Sequence, residues 1–247
     1  MSGTAATRAG LTHGRLGTWL FLASEVTTFG GLFGIFALVR HGGGGWAHET
    51  AQLQLGLALL NTSVLVAGSA IMARAHGAAR AGRVGAAARL LTAAALLGVV
   101  FLAIKGGEYG REFAAGVGPG SGPFWGFYFA LTGVHALHVA AGVLLAGVLA
   151  VGVGRCGLGA GAAGRIGAAA LYWHFIDAVW LTLVALLYLG STRAAVGAVI
   201  TALAAGAVAS AGVARSDRIL AVALAAGPLV LVTALLLVLA PDLATMR

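Results

Sequence analysis

The chain has 247 residues, of which 60% are hydrophobic and only 9% are charged, and its mean hydropathy is +0.98. Soluble domains carry roughly a quarter charged residues, so this composition excludes a water-soluble globular protein. The net charge of +8 comes from basic residues scattered in ones and twos between apolar runs, which excludes a basic stripe able to follow a nucleic-acid backbone.

Seven apolar segments meet or nearly meet the length of about twenty residues that a helix needs to cross a bilayer. They lie at residues 16–39, 53–73, 88–107, 123–151, 169–190, 195–213 and 219–240. The predicted fold is therefore an all-α polytopic bundle of about seven transmembrane helices. Residues 1–190 hold nearly all the aromatic, acidic and histidine side chains and form one five-helix membrane domain, whereas residues 191–247 form a plain two-helix extension.

The basic residues predict the orientation of these spans. Those on the side of the N-terminus are Arg8, Arg15, Arg74, Arg80, Arg83, Arg89, Arg155, Arg165, Arg215 and Arg218. Those on the other side are Arg40, Lys105, Arg111, Arg193 and Arg247. Because cytoplasmic loops are enriched in Lys and Arg, we expect the N-terminus in the cytoplasm and the C-terminus outside.

The first span contains Glu25 within an apolar run. A carboxylate at the centre of a transmembrane helix costs about 2.5–3.5 kcal/mol on insertion scales, so Glu25 is expected to face the bundle interior. Two interpretations stay open. Glu25 is either a proton-linked or lipid-headgroup site, or a structural acid bonded to Ser24, Thr28 or another helix.

The second and third spans carry further polar residues. Asn61 and Thr62 lie within the second span and are polar enough to bridge helices. Glu108, Arg111 and Glu112 close the third span at spacings that let both acids reach the arginine. We interpret these last three residues as a solvated ion cluster at the membrane surface.

The fourth and fifth spans each carry a polar pair at a spacing of three residues, His135 with His138 and His174 with Asp177. A two-haem site needs histidine pairs facing one another across helices, and copper or zinc needs three or four converging ligands. These histidines do not supply either set, and Cys156 is the sole cysteine. We therefore predict interhelical hydrogen bonding or lipid contact, and no metal site.

Small and aromatic residues add two expectations about packing. The chain has 40 glycines, and in lipid small residues let helix backbones approach closely, a role that Gly142 fits. Trp19, Trp125 and Trp173 lie near predicted helix ends, where indole rings favour the headgroup layer.

Four ordered motifs within residues 14–190 resemble one known family. The segment GTWLFLASEV ends one residue after Glu25, LNTSVLV includes Asn61, FYFALTGVHALHV follows the Glu108-Tyr109 pair and a Gly-Ser, and YWHFIDAVW contains His174. Together they resemble subunit III of the haem-copper cytochrome c oxidases, in the bacterial form with a five-helix core, and its quinol-oxidase counterpart. The segment ARSDRIL at 214–220 with the final apolar span resembles the small bacterial oxidase subunit IV, which suggests a fusion of the two.

The resemblance implies a non-catalytic subunit of the bacterial inner membrane, beside oxidase subunit I and in one complex with subunit II. It implies bound phospholipid, support of proton uptake and enzyme lifetime, and haem and copper held only by the partner subunits. Glu25 would be the buried acid near the lipid cleft. The remaining polar positions would serve helix packing and lipid contact; they are Asn61, Glu108, His135, His138, His174 and Asp177.

Two other functions compete with this one. An accessory subunit of nitric oxide reductase, from the same superfamily, would share these helices, although the Ser24-Glu25-Val sequence favours the oxidase. A secondary transporter would bind a proton or ion at Glu25 or Asp177, but the sequence has no internal repeat or Pro-broken helix pair at membrane depth. The residues do not distinguish cytochrome c from quinol as electron donor, nor the haem type.

Overall fold

The computed structural model describes residues 13–42 and 46–189, and these residues form helices joined by short turns, with no strand among them. The long helices are α1 (His13–Gly42), α3 (Leu55–Arg80), α4 (Val84–Ala114), α5 (Pro123–Cys156) and α6 (Ala162–Leu183). A short helix α2 (Ala47–Gln52) follows α1, and a π-helical turn (Val184–Tyr188) continues α6. All five long helices have the length and apolarity to cross a membrane, so the predicted all-α transmembrane class is confirmed. The predicted spans 195–213 and 219–240 lie outside the described residues.

The helices α3, α4 and α5 are longer than the spans predicted at those positions. At 1.5 Å per residue, the 31 residues of α4 extend about 46 Å, beyond the roughly 30 Å of the hydrocarbon core. Backbone hydrogen bonding thus continues past the apolar stretch. Each helix is followed within two residues by a glycine with positive φ: Gly82 at 71°, Gly116 at 78° and Gly157 at 71°. Glycine adopts this conformation without a steric penalty, so it ends the helices.

The bundle is centred on α6. In its most apolar window 78% of the residues are buried, against 28–33% for the other four long helices. The helix α6 packs on α3 and α5. The helix α4 also packs on both α3 and α5. The helix α1 lies at the edge of the bundle and contacts mainly α6.

Trp173 shows how α6 fits into the bundle. Its side chain is 2% exposed, and its ring packs against Gly68 of α3, Gly98 of α4 and Gly142 of α5. A Cβ would lie 3.1 Å from the ring at Gly98 and 3.3 Å at Gly68, so larger residues there would crowd the indole, whereas at Gly142 it would lie 3.5 Å away, in ordinary van der Waals contact. The prediction that Trp173 lies in the headgroup layer is wrong, because these glycines form a pocket for it inside the bundle.

The other two tryptophans of that prediction differ from each other. Trp125 begins α5 as expected, but it is 5% exposed and packs edge-on against Tyr128 at a centroid distance of 5.6 Å. It therefore belongs to the aromatic core. The side chain of Trp19 lies outside the described part.

The end of α1 is held against the bundle by aromatic packing and by a hydrogen bond. Phe36 packs on Trp46, just before α2, at a centroid distance of 5.4 Å, and Trp46 packs on Phe124 of α5 at 5.8 Å. The Arg40 guanidinium donates a 3.3 Å hydrogen bond to the carbonyl of Leu186 in the π-helical turn. A π-helical turn displaces carbonyls from the α-helical pattern, so a side-chain donor there compensates the altered backbone.

Candidate functional site

Glu25 and His138 form a pair between α1 and α5. The Nε2 atom of His138 lies 2.8 Å from Oε2 of Glu25, and the two side chains are 19% and 15% exposed. The hydroxyls of Ser24 and Thr28 donate to carbonyls of their own helix instead, at 2.7 and 3.0 Å. Of the partners considered for Glu25, the structure therefore favours a residue on another helix.

The hydrogen bonds of His138 restrict where protons can reside in this pair. Nδ1 of His138 lies 2.8 Å from the carbonyl of Val134, which can only accept, so Nδ1 carries a hydrogen. The contact with Glu25 then has two possible forms. Either a neutral Glu25 donates to a neutral imidazole, or an imidazolium donates to a carboxylate. Both forms hold one proton between the two groups, and the pair has no net charge in either.

Aromatic side chains enclose the pair. Phe29 of α1 meets the His138 ring edge-on at a centroid distance of 5.1 Å, and Phe21 packs on Tyr172 of α6 at 5.8 Å. The Tyr172 hydroxyl donates a 3.0 Å hydrogen bond to the His138 carbonyl. The pair is thus the polar centre of an otherwise aromatic contact between the edge helix α1 and the bundle.

A second polar cluster surrounds Lys105 and Glu108 on α4. Lys105 is 2% exposed and Glu108 1% exposed, and the ammonium donates to Oε2 of Glu108 at 3.1 Å. The interpretation of Glu108 as part of a solvated surface cluster is therefore wrong. Counting Lys105 among the basic residues outside the membrane was also wrong, because its side chain turns into the bundle. Burial of either charge alone would be costly, and the pair neutralises both.

Two tyrosines complete this cluster. The ammonium of Lys105 also donates to the hydroxyls of Tyr128, at 2.9 Å, and Tyr188, at 2.7 Å. Both hydroxyls in turn donate to Oε1 of Glu108, at 2.8 and 2.6 Å. All three N–H groups of the ammonium are therefore used. Because Tyr188 ends the π-helical turn, this cluster joins that turn to α4 and α5.

The other two residues of the predicted surface cluster differ in their exposure to solvent. Arg111 is exposed and donates a 2.6 Å hydrogen bond to the side-chain oxygen of Gln54. Glu112 is 8% exposed. A signal for the buried cluster was present in the sequence, because Lys105 is the chain's one lysine, lies in an apolar span and precedes Glu108 by three residues.

The remaining predicted polar residues lie between α3, α5 and α6. The Ser69 hydroxyl is hydrogen-bonded to Nδ1 of His174, which is the interhelical hydrogen bonding predicted for this histidine, although the sequence did not identify Ser69 as the partner. Thr62 accepts a 3.0 Å hydrogen bond from the Trp180 indole and so bridges α3 and α6 as predicted. Asn61, His135 and Asp177 are buried, and their side-chain polar atoms have no hydrogen-bond partner in the described structure.

Within residues 13–42 and 46–189, no three His, Cys, Asp or Glu side chains converge as metal ligands would. His135 packs between Phe101, at a centroid distance of 5.6 Å, and Trp180, at 5.2 Å. Cys156 is exposed at the end of α5. The expectation that this chain binds no metal stays a prediction.

Comparison with known proteins gives a consistent result. The family model of cytochrome c oxidase subunit III matches residues 2–192. Subunit 3 of the cytochrome bo(3) ubiquinol oxidase of Pseudomonas aeruginosa is 32% identical over 173 residues, 70% of this chain and 83% of the relative. Subunit 3 of the cytochrome c oxidase of Thermostichus vulcanus is 31% identical over 175 residues, covering 70% and 86%. A probable quinol oxidase subunit 3 of Staphylococcus epidermidis is 32% identical over 176 residues, covering 71% and 88%.

Proposed function

We propose that this chain, which belongs to the cytochrome c oxidase subunit III family, is a non-catalytic subunit that supports the haem-copper subunit of a terminal oxidase. The match extends over residues 2–192, and the relatives are named as subunit 3 of cytochrome c, ubiquinol and quinol oxidases. Subunit I would be the main contact, with subunit II in the same complex. Haem and copper would belong to those partners, while this chain would bind phospholipid.

The proposed location is the bacterial inner membrane, with the N-terminus in the cytoplasm. Five helices of membrane-spanning length support a multi-pass protein. Exposed arginines cluster where α3 and α5 end and where α4 and α6 begin; they are Arg74, Arg80, Arg83, Arg89, Arg155 and Arg165. Neither segment 74–89 nor segment 155–165 contains an acidic residue, so this end has the charge expected of a cytoplasmic face.

The Glu25–His138 pair is the observation that carries the proposed supporting role. It places one proton between a carboxyl group and an imidazole 2.8 Å apart, at the contact between the edge helix α1 and the bundle. Both side chains keep partial exposure, so a proton or a lipid headgroup can reach them. We propose that the pair assists proton uptake by the partner subunit, holds phospholipid against α1, or does both.

Replacement of Glu25 in the intact complex tests this role. Glu25→Gln keeps a hydrogen bond to His138 but cannot hold the shared proton, whereas Glu25→Ala removes both. If the pair handles protons, both variants lower turnover or the pumping ratio. If it retains lipid through the α1 contact, Glu25→Ala loses more bound phospholipid than Glu25→Gln.

Glu49→Gln in the short helix α2 is the matched control, because it removes a carboxylate that lies outside the long helices. It is expected to leave every readout unchanged. Turnover, pumping ratio, lifetime and bound lipid that all stay at wild-type values in both Glu25 variants would contradict the proposed role. That result would leave the family assignment intact.

A further inference from the structure

The contact between α3 and α6 contains a line of polar groups that the Glu25–His138 pair does not use. The two helices run antiparallel, with Gly68 against Trp173, Ser69 hydrogen-bonded to His174, and His76 against Gly167. Both His76 and His174 lie on this line, and both are only partly buried. The line therefore begins near the arginine-rich end of the bundle and leads inward along α3 and α6.

Asp177 is the innermost group on this line. It lies fifteen residues after Ala162, about 22 Å along α6 at 1.5 Å per residue, and therefore near the middle of the membrane. Ser69 is hydrogen-bonded to His174, which lies one turn before Asp177 on α6, and neither carboxyl oxygen of Asp177 has a hydrogen-bond partner. Both oxygens are shielded from solvent. This is a buried acid with no donor to stabilise a negative charge.

The titratable groups on the neighbouring helices do not neutralise Asp177 either. Those brought towards the core are Glu25 from α1, His76 from α3, Lys105 and Glu108 from α4, His135 and His138 from α5, and His174 on α6 itself. Lys105 is paired with Glu108 and His138 with Glu25, while His174 is bonded to Ser69. An isolated carboxylate at membrane depth would be unstable, so the neutral acid is the form that fits this site.

We propose that Asp177 is an internal protonation site, neutral at rest, which exchanges its proton with the arginine-rich end of the bundle through Ser69 and His174. In this exchange the Asp177 carboxyl turns to within hydrogen-bond distance of the Ser69 oxygen and donates its proton to it, while the Ser69 hydroxyl donates its own proton to Nδ1 of His174. The products are an Asp177 carboxylate, an unchanged serine and a His174 imidazolium. The imidazolium then releases a proton towards His76 and water, and the reverse sequence restores the neutral acid.

Infrared spectroscopy of the oxidase complex containing the full chain tests this proposal, with the aspartate side-chain carboxyl groups labelled with carbon-13. The carbonyl stretch of a protonated acid is distinct from the bands of a carboxylate. It shifts when a deuteron from D2O replaces the acid's proton. The expected result is an aspartic acid band that is lost in Asp177→Asn. In Ser69→Ala and in His174→Phe, deuterium exchange of that band should be slowed by about tenfold or more, because a missing relay group leaves only rare opening of the bundle.

Ser63→Ala is the matched control, since Ser63 is an exposed serine of α3 whose hydroxyl bonds to the Leu59 carbonyl of its own helix. Its exchange rate should equal that of the wild type. If Asp177→Asn does not accumulate, Asp177→Glu replaces it as the test variant. In Asp177→Glu the acid band should be absent from the set of bands that respond to aspartate labelling and should respond instead to carbon-13 labelling of glutamate. Absence of an acid band assigned to Asp177 would overturn the proposal, as would equal exchange rates in Ser69→Ala and Ser63→Ala.

Discussion

Lys105→Met is the substitution with the largest stability effect that we predict. It removes three hydrogen bonds from the ammonium, to Glu108, Tyr128 and Tyr188, and leaves Glu108 as a charge that is 1% exposed. Breaking a buried ion pair by removing one partner typically costs about 3–5 kcal/mol. Tyr128 and Tyr188 still donate to Glu108, so we expect a loss near the lower end, about 3 kcal/mol.

The measurement is the free energy of unfolding of the full chain in detergent, obtained by denaturant titration of the wild type and of the variant. Lys105→Met combined with Glu108→Gln removes both charges, and it should recover at least about 2 kcal/mol relative to the single variant. Arg111→Met at the exposed end of α4 is the control, and it should cost less than about 1 kcal/mol. A single variant as stable as wild type, or a double variant no more stable than the single, would refute the buried-pair reasoning.

Three further predictions concern packing, the π-helical turn and orientation. Gly98→Ala should destabilise the chain by about 1–3 kcal/mol in the same titration, because the added methyl group overlaps Val143, whereas Gly147→Ala, with open space around it, should not. Tyr188→Phe should cost about 1–3 kcal/mol by removing two hydrogen bonds; an unchanged midpoint would show that the turn does not depend on them. A membrane-impermeant maleimide should modify Cys156 in inverted vesicles alone, and modification in right-side-out vesicles would reverse the proposed topology.

Apolar length was enough to predict the five long helices, because in lipid each span must satisfy its own backbone hydrogen bonds. Their ends were harder to predict. Polar residues such as those between 74 and 80 continue α3 beyond the apolar stretch, and a glycine with positive φ ends it. Hydropathy indicates which residues fit the hydrocarbon core, whereas the helix ends depend on the local backbone conformation.

Contacts between distant helices could not be predicted from spacing alone. Glu25 and His138 were each identified as polar residues in apolar spans, but their pairing across 113 residues depends on how α1 docks. Lys105 was assigned to the outer side of the membrane because the positive-inside rule counts basic residues by their position in the sequence. That rule does not consider whether a side chain points into the bundle or into solvent. Trp173 was misplaced because its pocket is built by glycines from three other helices, which no single segment displays.

The most direct test of the central claim is an inventory of the complex that contains this chain. A tagged full-length chain, purified from its native membrane, should bring with it a catalytic subunit that carries both haem and copper and reduces oxygen. Mass spectrometry would identify the subunits, and metal analysis with optical spectra would identify the cofactors. A partner that contains haem but no copper and reduces nitric oxide would contradict the oxidase assignment.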